Sequence, residues 1–138
     1  MTESTLPAPV PVVTLDTTHF WQGTTRGELI LQRCDTCDAV IWYPRPICPE
    51  CGGVALAEFT ASGRGEIYSW TKTTKGPGDY ANAGPFVLAY VQLAEGPRMM
   101  TNIVEYSDDD LVVGRSVEVI FHPTGDDSAL PRVRPTQK

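Results

Sequence analysis

The sequence predicts a mostly β protein in which a short helix and a metal-binding ribbon precede a small barrel of five strands. Two Cys-x-x-Cys pairs lie between residues 34 and 51 and have the spacing of a four-cysteine metal ribbon. After Gly63, five apolar or alternating segments are separated by turn-forming residues, which is typical of short strands. The 12 Gly and 12 Pro among 138 residues suit a loop-rich β protein better than a helical bundle.

Changes in composition along the chain predict three regions. Residues 1–16 are rich in proline and are expected to form a flexible N-terminal arm. Residues 17–60 are expected to hold the helix and the ribbon, and residues 61–135 the barrel. A length of 138 residues fits one domain with a small satellite and excludes an enzyme built from a cofactor domain and a substrate domain.

A brief helix is predicted within residues 17–29. Threonines at its start can cap it, whereas Gly23 and Gly27 weaken it. The apolar residues 29–31 then lead into the first cysteine pair as an extended segment.

The four cysteines give the strongest functional signal. Cys34 and Cys37 are two residues apart, as are Cys48 and Cys51, and ten residues separate the pairs. Each tight turn can direct two sulfurs at one ion, and the hairpin between the pairs brings the turns together. We therefore predict a structural Zn²⁺ with no open coordination position. Iron in a rubredoxin-like site remains an alternative, and a redox dithiol is disfavoured because no βαβ pattern flanks either pair.

The predicted barrel strands differ in their patterns. Residues 65–73 alternate, so Ile67, Ser69 and Thr71 are expected on one face and the intervening residues on the other. Residues 86–93 are apolar on both faces and predict a central strand covered on both sides. The number of strands favours a barrel of the OB type over a small sandwich. The predicted strands of the barrel are Gly65–Thr73, Phe86–Leu93, Arg98–Tyr106, Ser116–Phe121 and Leu130–Arg134.

Charge and residue types exclude several functions. With 11 Lys plus Arg against 17 Asp plus Glu, the formal net charge of −6 argues against non-specific binding of phosphate backbones. Neither His19 nor His122 has a nucleophile or carboxylate partner suggested by the sequence, so intrinsic catalysis is not expected. The N-terminus lacks the pattern of a secretory signal, and no segment approaches the roughly 20 apolar residues of a membrane helix. We expect a cytoplasmic protein without a membrane contact.

The order of the motifs is also informative. The relevant motifs are Phe20-Trp21-x-Gly23, Leu29-x-Leu31-Gln32-Arg33-Cys34, Tyr43-Pro44-Arg45-x-x-Cys48-Pro49-x-Cys51-Gly52, Ser62-Gly63-Arg64-Gly65-Glu66-Ile67-Tyr68-Ser69-Trp70-Thr71, Val113-Gly114-x-x-Val117-Glu118-Val119 and Leu130-Pro131-Arg132. Together they resemble the zinc-ribbon plus OB-fold family catalogued as domain of unknown function number thirty-five. The resemblance covers about residues 17–135, and all four cysteines are present.

The resemblance implies a function that the spacing of residues does not. Members of that family are acyl-CoA-associated, non-catalytic partners of thiolases, synthases or lipid-transfer-protein-like aldolases, including those of steroid side-chain breakdown. A hetero-oligomer with such an enzyme is therefore expected, with a possible acyl-CoA contact. The candidate CoA-binding residues are Lys72, Lys75, Arg98 and Arg132. The candidate partner contacts are the aromatic residues Trp42, Tyr43, Tyr80 and Phe86.

Two other functions compete with this expectation. An OB-fold protein that binds single-stranded nucleic acid could stack bases on Tyr68 and Trp70, although the acidity of the chain disfavours it. An independent thioesterase or hydratase would need catalytic groups, for which the two histidines are the candidates.

Overall fold

A computed structural model describes residues 6–136, so the first five residues of the predicted arm lie outside the described part. The part of the chain before the barrel, called the helix–ribbon region below, holds one α-helix among the described residues, α1 (Thr18–Thr25), which follows a 3-10 turn at Leu15–Thr17. An antiparallel sheet of order β2-β1-β3 comes next. Its strands are β1 (Ile30–Cys34), β2 (Val40–Ile41) and β3 (Leu56–Thr60).

Within residues 6–136, the remaining strands close into a five-stranded barrel of order β4-β5-β6-β8-β7. β6 and β8 meet in parallel at the pair Ile103 and Val133, and the other neighbours are antiparallel. The predicted mostly-β fold is confirmed, and the alternative of a sandwich is wrong. The strands are β4 (Arg64–Thr73), β5 (Phe86–Leu93), β6 (Arg98–Ile103), β7 (Ser116–Pro123) and β8 (Ala129–Pro135).

The central strand β5 pairs with β4 on one side and β6 on the other. Its alternate residues Val87, Ala89, Val91 and Leu93 point into the barrel and are buried. The outer face is covered unevenly, because Tyr90 is 47% exposed. The prediction that both faces of this strand are buried is therefore correct for only part of its length.

The expected alternation of β4 is wrong beyond Ile67. Ile67 pairs with Val91 but Ser69 pairs with Tyr90, so the register shifts between them. Because Val91 and Tyr90 lie on opposite faces of β5, Ile67 and Ser69 also face opposite ways. A β-bulge, which alternation alone does not show, moved Ser69 to the outer face.

Helix and barrel share one hydrophobic core. Phe20 of α1 and Leu31 of β1 belong to the same buried cluster as Val91 and Val133 of the barrel, and each of these side chains is at most 1% exposed. The helix ends at Thr25, because the chain then turns through Gly27 at φ 76°. No helix within residues 6–136 is long and apolar enough to span a membrane.

Candidate functional site: metal centre and aromatic cavity

The four cysteines converge on one point. Cys34 ends β1 and Cys37 follows in the next turn, while Cys48 and Cys51 flank a second turn. All four Sγ atoms lie within 4.8 Å of one another, with 3.6 Å between Cys34 and Cys51 and 3.7 Å between Cys37 and Cys48. A tetrahedral ion with Zn–S bonds of about 2.3 Å requires sulfur separations of about 3.8 Å. The predicted donor set therefore fits a metal ion.

The two turns have the same backbone design. The amide of Asp38 donates to the carbonyl of Cys34 at 2.8 Å, and the amide of Gly52 donates to that of Cys48 at 2.9 Å. Both Asp38 and Gly52 adopt positive φ, at 64° and 78°. Each turn therefore closes in the left-handed region, where Gly and Asp are tolerated. The repeat brings the second pair of sulfurs opposite the first.

Backbone amides stabilise the thiolates. The amide of Gly53 donates to Sγ of Cys51 at 3.3 Å, and that of Glu50 donates to Sγ of Cys48 at 3.4 Å. Hydrogen bonding from the backbone of Cys37 lowers the pKa of the Cys34 thiol from 9.0 to about 7. The pKa of Cys37 is raised to about 12, because burial and the neighbouring cysteine side chains outweigh the hydrogen bond from Ala39, and the pKa of Cys51 is raised as well. Since the thiolate is the form that binds metal, Cys34 is the ligand prepared near neutral pH, and the positive ion itself must favour loss of the protons from Cys37 and Cys51. Four protein ligands leave no open position, so the ion holds the ribbon together rather than activating a substrate.

A second feature lies between the helix–ribbon region and the outside of the barrel. It is a cavity of about 290 Å³ walled mainly by aromatic and aliphatic side chains. α1 and the segment after β2 form one wall, and β5, β6 and β8 form the other. We call it the aromatic cavity; its lining residues are Phe20, Trp21, Trp42, Tyr43, Tyr80, Leu88, Met100, Thr101, Asn102, Leu130, Pro131 and Arg132.

The structure brings three of the four candidate partner residues to this cavity. Trp42 and Tyr43 stack edge-on with centroids 5.4 Å apart, and Tyr80 enters from the loop before β5. Phe86 packs 5.3 Å from Tyr80 but is 7% exposed and is not among the lining residues. The sequence did not single out Phe20 and Trp21 as lining residues, because the helical pattern marks them only as core.

The candidate CoA-binding residues do not form one cluster. Lys72 lies opposite Val87 and Arg98 lies opposite Gln92, which places them about 17 Å apart along β5. Lys72 bonds Asp108 at 2.8 Å, and this hydrogen bond raises the pKa of the lysine. The guanidinium of Arg98 lies 3.9 Å from the ring centre of Tyr68. Lys75 is exposed in the loop after β4.

Arg132 differs from the other three because it is 1% exposed and lines the aromatic cavity. It donates to Nδ1 of His122 at 2.9 Å and to the carbonyl of Pro7. Burial lowers the pKa of Arg132, and the nearby Tyr80 hydroxyl partly opposes that effect. In this conformation Arg132 cannot reach a phosphate at the surface.

Sequence reasoning missed an exposed apolar surface on the barrel. Tyr90 of β5 and Met100 of β6 are directly paired and are 47% and 55% exposed. Tyr68, beside the bulge of β4, is 46% exposed. Residues 86–93 are apolar on both faces, and such a pattern does not show which face of the strand will be exposed to solvent.

A closed four-cysteine ribbon joined to an OB-type barrel defines a class of two-part, zinc-ribbon proteins. Family models bear this out: the rubredoxin-like zinc ribbon domain of ChsH2 matches residues 21–56, and the C-terminal OB-fold domain of ChsH2 matches residues 58–122. A DUF35 domain-containing scaffold protein of Methanocaldococcus jannaschii is 33% identical over 106 residues, covering 74% of this chain and 75% of that protein. The chain belongs to the DUF35 family.

Longer relatives match as well. A probable enoyl-CoA hydratase alpha subunit of Thermomonospora curvata is 31% identical over 127 residues, which cover 92% of this chain and 40% of the relative. The 3-oxo-4,17-pregnadiene-20-carboxyl-CoA hydratase alpha subunit of Mycobacterium tuberculosis is 30% identical over 114 residues, covering 80% of this chain and 35% of the relative. This chain thus spans well under half the length of these two relatives.

A solved structure titled Ltp2-ChsH2(DUF35) aldolase contains a chain with the same fold. The TM-score is 0.78 at 30% identity, and the match covers 91% of this chain and 98% of that chain. A DUF35 protein of unknown function from Sulfolobus solfataricus shares the fold at a TM-score of 0.67 and 13% identity, covering 90% of this chain and 87% of that chain. The predicted zinc ribbon and OB-fold are confirmed.

Proposed function

We propose that this chain is a non-catalytic accessory subunit that binds a thiolase-superfamily enzyme and supports the binding or transfer of an acyl-CoA. The single observation that carries the proposal is the structural likeness to a chain of the Ltp2-ChsH2(DUF35) aldolase, which covers 98% of that chain. Relatives named as scaffold proteins and as hydratase alpha subunits support an accessory role. The enzyme partner is a thiolase, a synthase or a lipid-transfer-protein-like aldolase.

The contacts of the histidines support a non-catalytic role. His19 bonds the carboxylate of Glu58 at 3.1 Å on the surface, a partner that the sequence did not suggest, and His122 accepts a hydrogen bond from Arg132. Neither histidine contacts a serine or cysteine side chain in the hydrogen bonds of residues 6–136. The metal centre is closed by four thiolates. This arrangement suits a subunit whose chemistry is supplied by its partner.

We infer that the exposed apolar surface of the barrel, formed by Tyr68, Tyr90 and Met100, contacts the enzyme. Tyrosine and methionine are enriched in protein interfaces, where they supply large contact areas. The guanidinium of Arg98 stacks on Tyr68 at the edge of this surface. Arg98, Lys72 and Lys75 are exposed and remain the candidates for CoA phosphates, at two separate places on the barrel.

Names of relatives suggest the substrate class. The hydratase subunit from Mycobacterium tuberculosis is named for a pregnadiene carboxyl-CoA, and the subunit from Thermomonospora curvata for an enoyl-CoA. We propose that the complex acts in the degradation of lipids or steroids through CoA thioesters.

Co-expression tests this function directly. The tagged chain is produced with each thiolase-superfamily enzyme of the same genome, and complexes are isolated and measured by size and by activity on acyl-CoA. We expect a stable hetero-oligomer with one such enzyme and a change in its activity or solubility. If no such enzyme is retained or altered, the proposal is wrong.

A matched pair of variants tests the surface. Tyr90→Glu places a charge on the proposed contact, whereas Val112→Glu changes a residue of similar exposure, 55%, in the loop before β7. We expect Tyr90→Glu to weaken the complex at least about tenfold, since a buried unpaired charge is costly, and Val112→Glu to leave it intact. Equal effects of the two variants contradict the assignment of this surface.

The competing functions give different results with the isolated chain. Salt-sensitive, micromolar binding of single-stranded oligonucleotides, detected by Trp fluorescence, supports nucleic-acid binding through Tyr68 and Trp70. Turnover of acyl-CoA by the isolated chain, lost in His19→Gln or His122→Gln, supports an independent enzyme. Our proposal predicts neither result.

A further inference from the structure

Arg132 is a buried cation whose partners are all neutral. It is 1% exposed and donates hydrogen bonds to Nδ1 of His122 and to the carbonyl of Pro7, and the hydroxyl of Tyr80 lies nearby. Among residues 6–136, no carboxylate lies within ion-pair distance of it. A buried guanidinium ordinarily has a paired anion, because removing an unpaired charge from water is strongly unfavourable.

Another donor that lines the same cavity, unlike Arg132, has no acceptor at all. Nε1 of Trp42 is buried and has no hydrogen-bond partner within the described residues. By contrast, Nε1 of Trp21, in the same wall, donates to the hydroxyl of Tyr43 at 2.8 Å. A buried N–H without an acceptor destabilises the fold, so such a group calls for an explanation. Trp42 and Arg132 both line the aromatic cavity.

The rest of the cavity lining is mainly apolar. Phe20, Leu88, Leu130 and Pro131 contribute carbon surfaces around a space of about 290 Å³. The amide of Asn102 is already bonded to the carbonyl of Val87 at 2.9 Å. The space is at the lower end of the range for small-molecule sites, so its occupant must be compact.

We propose that the aromatic cavity binds a small carboxylic acid, with the carboxylate at Arg132 and Trp42 and a compact apolar body against the aromatic wall. A carboxylate has two acceptor oxygens and pairs well with the planar guanidinium fork. Phosphate carries more charge and more acceptor oxygens than these donors satisfy, and it has no apolar body to fill the space. The observations therefore favour a carboxylate over a phosphate.

Two segments cover the cation. The carbonyl of Pro7 in the N-terminal arm accepts from Arg132, and the hydroxyl of Tyr80 lies 3.5 Å from the same carbonyl. Tyr80 belongs to a Gly- and Pro-rich loop, residues 75–84. Both are neutral oxygens, so an entering carboxylate can take their place at the guanidinium and form a stronger bond, in which donor and acceptor are both charged. This site requires neither the enzyme partner nor a CoA.

The test uses phenylacetate as the probe and phenylacetamide as its uncharged control. Each is titrated into the full zinc-loaded chain, and the ¹⁵N-indole signals of Trp21, Trp42 and Trp70 are followed by NMR. We expect phenylacetate to shift the Trp42 signal and to bind at least about tenfold more tightly than the amide. The signal of Trp70, which does not line the cavity, should stay in place.

Two variants test whether the guanidinium of Arg132 binds the carboxylate. Arg132→Gln should abolish the preference for the acid over the amide, whereas Arg98→Gln, at the exposed surface, should retain it. If Arg132→Gln does not fold, the acid–amide comparison on the unaltered chain still decides. The proposal is overturned if phenylacetate at concentrations up to about 10 mM does not shift the indole signal of Trp42. Equal affinities for the acid and the amide overturn it as well, and so does binding of inorganic phosphate at this site without binding of phenylacetate.

Discussion

The indole N–H of Trp21 donates a 2.8 Å hydrogen bond to the hydroxyl of Tyr43, across 22 residues of sequence. Trp21 belongs to α1, and Tyr43 lies just after β2 in the ribbon. Phe20 packs edge-on against Tyr43 with ring centroids 5.2 Å apart, which strengthens the same connection. This contact fixes the helix to the ribbon and so sets the shape of one cavity wall.

Tyr43→Phe should destabilise the chain by about 1–3 kcal/mol, because Trp21 is only 7% exposed and its N–H loses its acceptor. Urea unfolding followed by circular dichroism measures the effect. Tyr68→Phe is the control. Tyr68 is 46% exposed and its hydroxyl can bond water in the unaltered chain, so its removal leaves no buried group without a partner. A loss no larger than that of Tyr68→Phe contradicts the assigned role of Tyr43.

Removal of the metal should destabilise the entire chain. The purified protein is expected to hold one metal ion for its four cysteines, with zinc identified by elemental analysis. Cys48→Ser, or treatment with a strong chelator, should lower Tm by at least about 10 °C. Because Leu31 next to the ribbon shares a core with the barrel, we expect one cooperative transition.

The matched control for Cys48→Ser is Ser116→Ala at the exposed start of β7, which should leave metal content and Tm unchanged. Loss of the metal with an unchanged Tm, or a ribbon that melts separately from the barrel, contradicts this coupling. Iron in place of zinc leaves the coupling intact and corrects only the identity of the ion.

His122 should make the fold weaker in mild acid. Burial and then the charge of Arg132 lower the pKa of His122, while Glu105 acts in the opposite direction. The unfolded chain therefore takes up a proton near pH 6.5 that the folded chain takes up only at lower pH. His122 therefore contributes to the free energy of unfolding at neutral pH, and this contribution is lost as the pH falls from about 7 to 5.

The comparison of three proteins isolates this effect. Urea unfolding at pH 7 and pH 5 should show a smaller pH-dependent loss in His122→Gln than in the parent chain. His19→Gln, whose parent side chain is 69% exposed, should behave like the parent. If His122→Gln keeps the full loss, the proton uptake occurs elsewhere.

Gly65→Ala should weaken the barrel. A Cβ at Gly65 meets the carbonyl oxygen of Gln92 at 2.7 Å and Cγ1 of Val91 at 2.9 Å, so the β4–β5 pair must separate. We expect a loss of about 1–3 kcal/mol of unfolding free energy. Ser116→Ala on the neighbouring strand should stay within about 0.5 kcal/mol of the parent. If Gly65→Ala leaves the free energy of unfolding unchanged, the two strands move apart at little cost and the prediction is wrong.

Much of the architecture could be predicted because it depends on local patterns. The two Cys-x-x-Cys turns identified all four ligands, since each turn is completed within five residues. Strand β5 was placed from Phe86 to Leu93 as observed, because apolar residues and flanking turns mark its ends. The third barrel strand was predicted to reach Tyr106 but ends at Ile103, where its ladder to the neighbouring strands stops.

The sequence by itself determined the metal ligands, the mostly-β class and the order of ribbon and barrel, because these depend on spacing within short segments. Only the tertiary structure decided that Arg132 is buried, that the bulge in β4 turns Ser69 outward, and that Trp42 and Tyr80 meet in one cavity. These features depend on strand register and on contacts between residues far apart in the chain. A pattern in one segment does not show which distant segment will cover it.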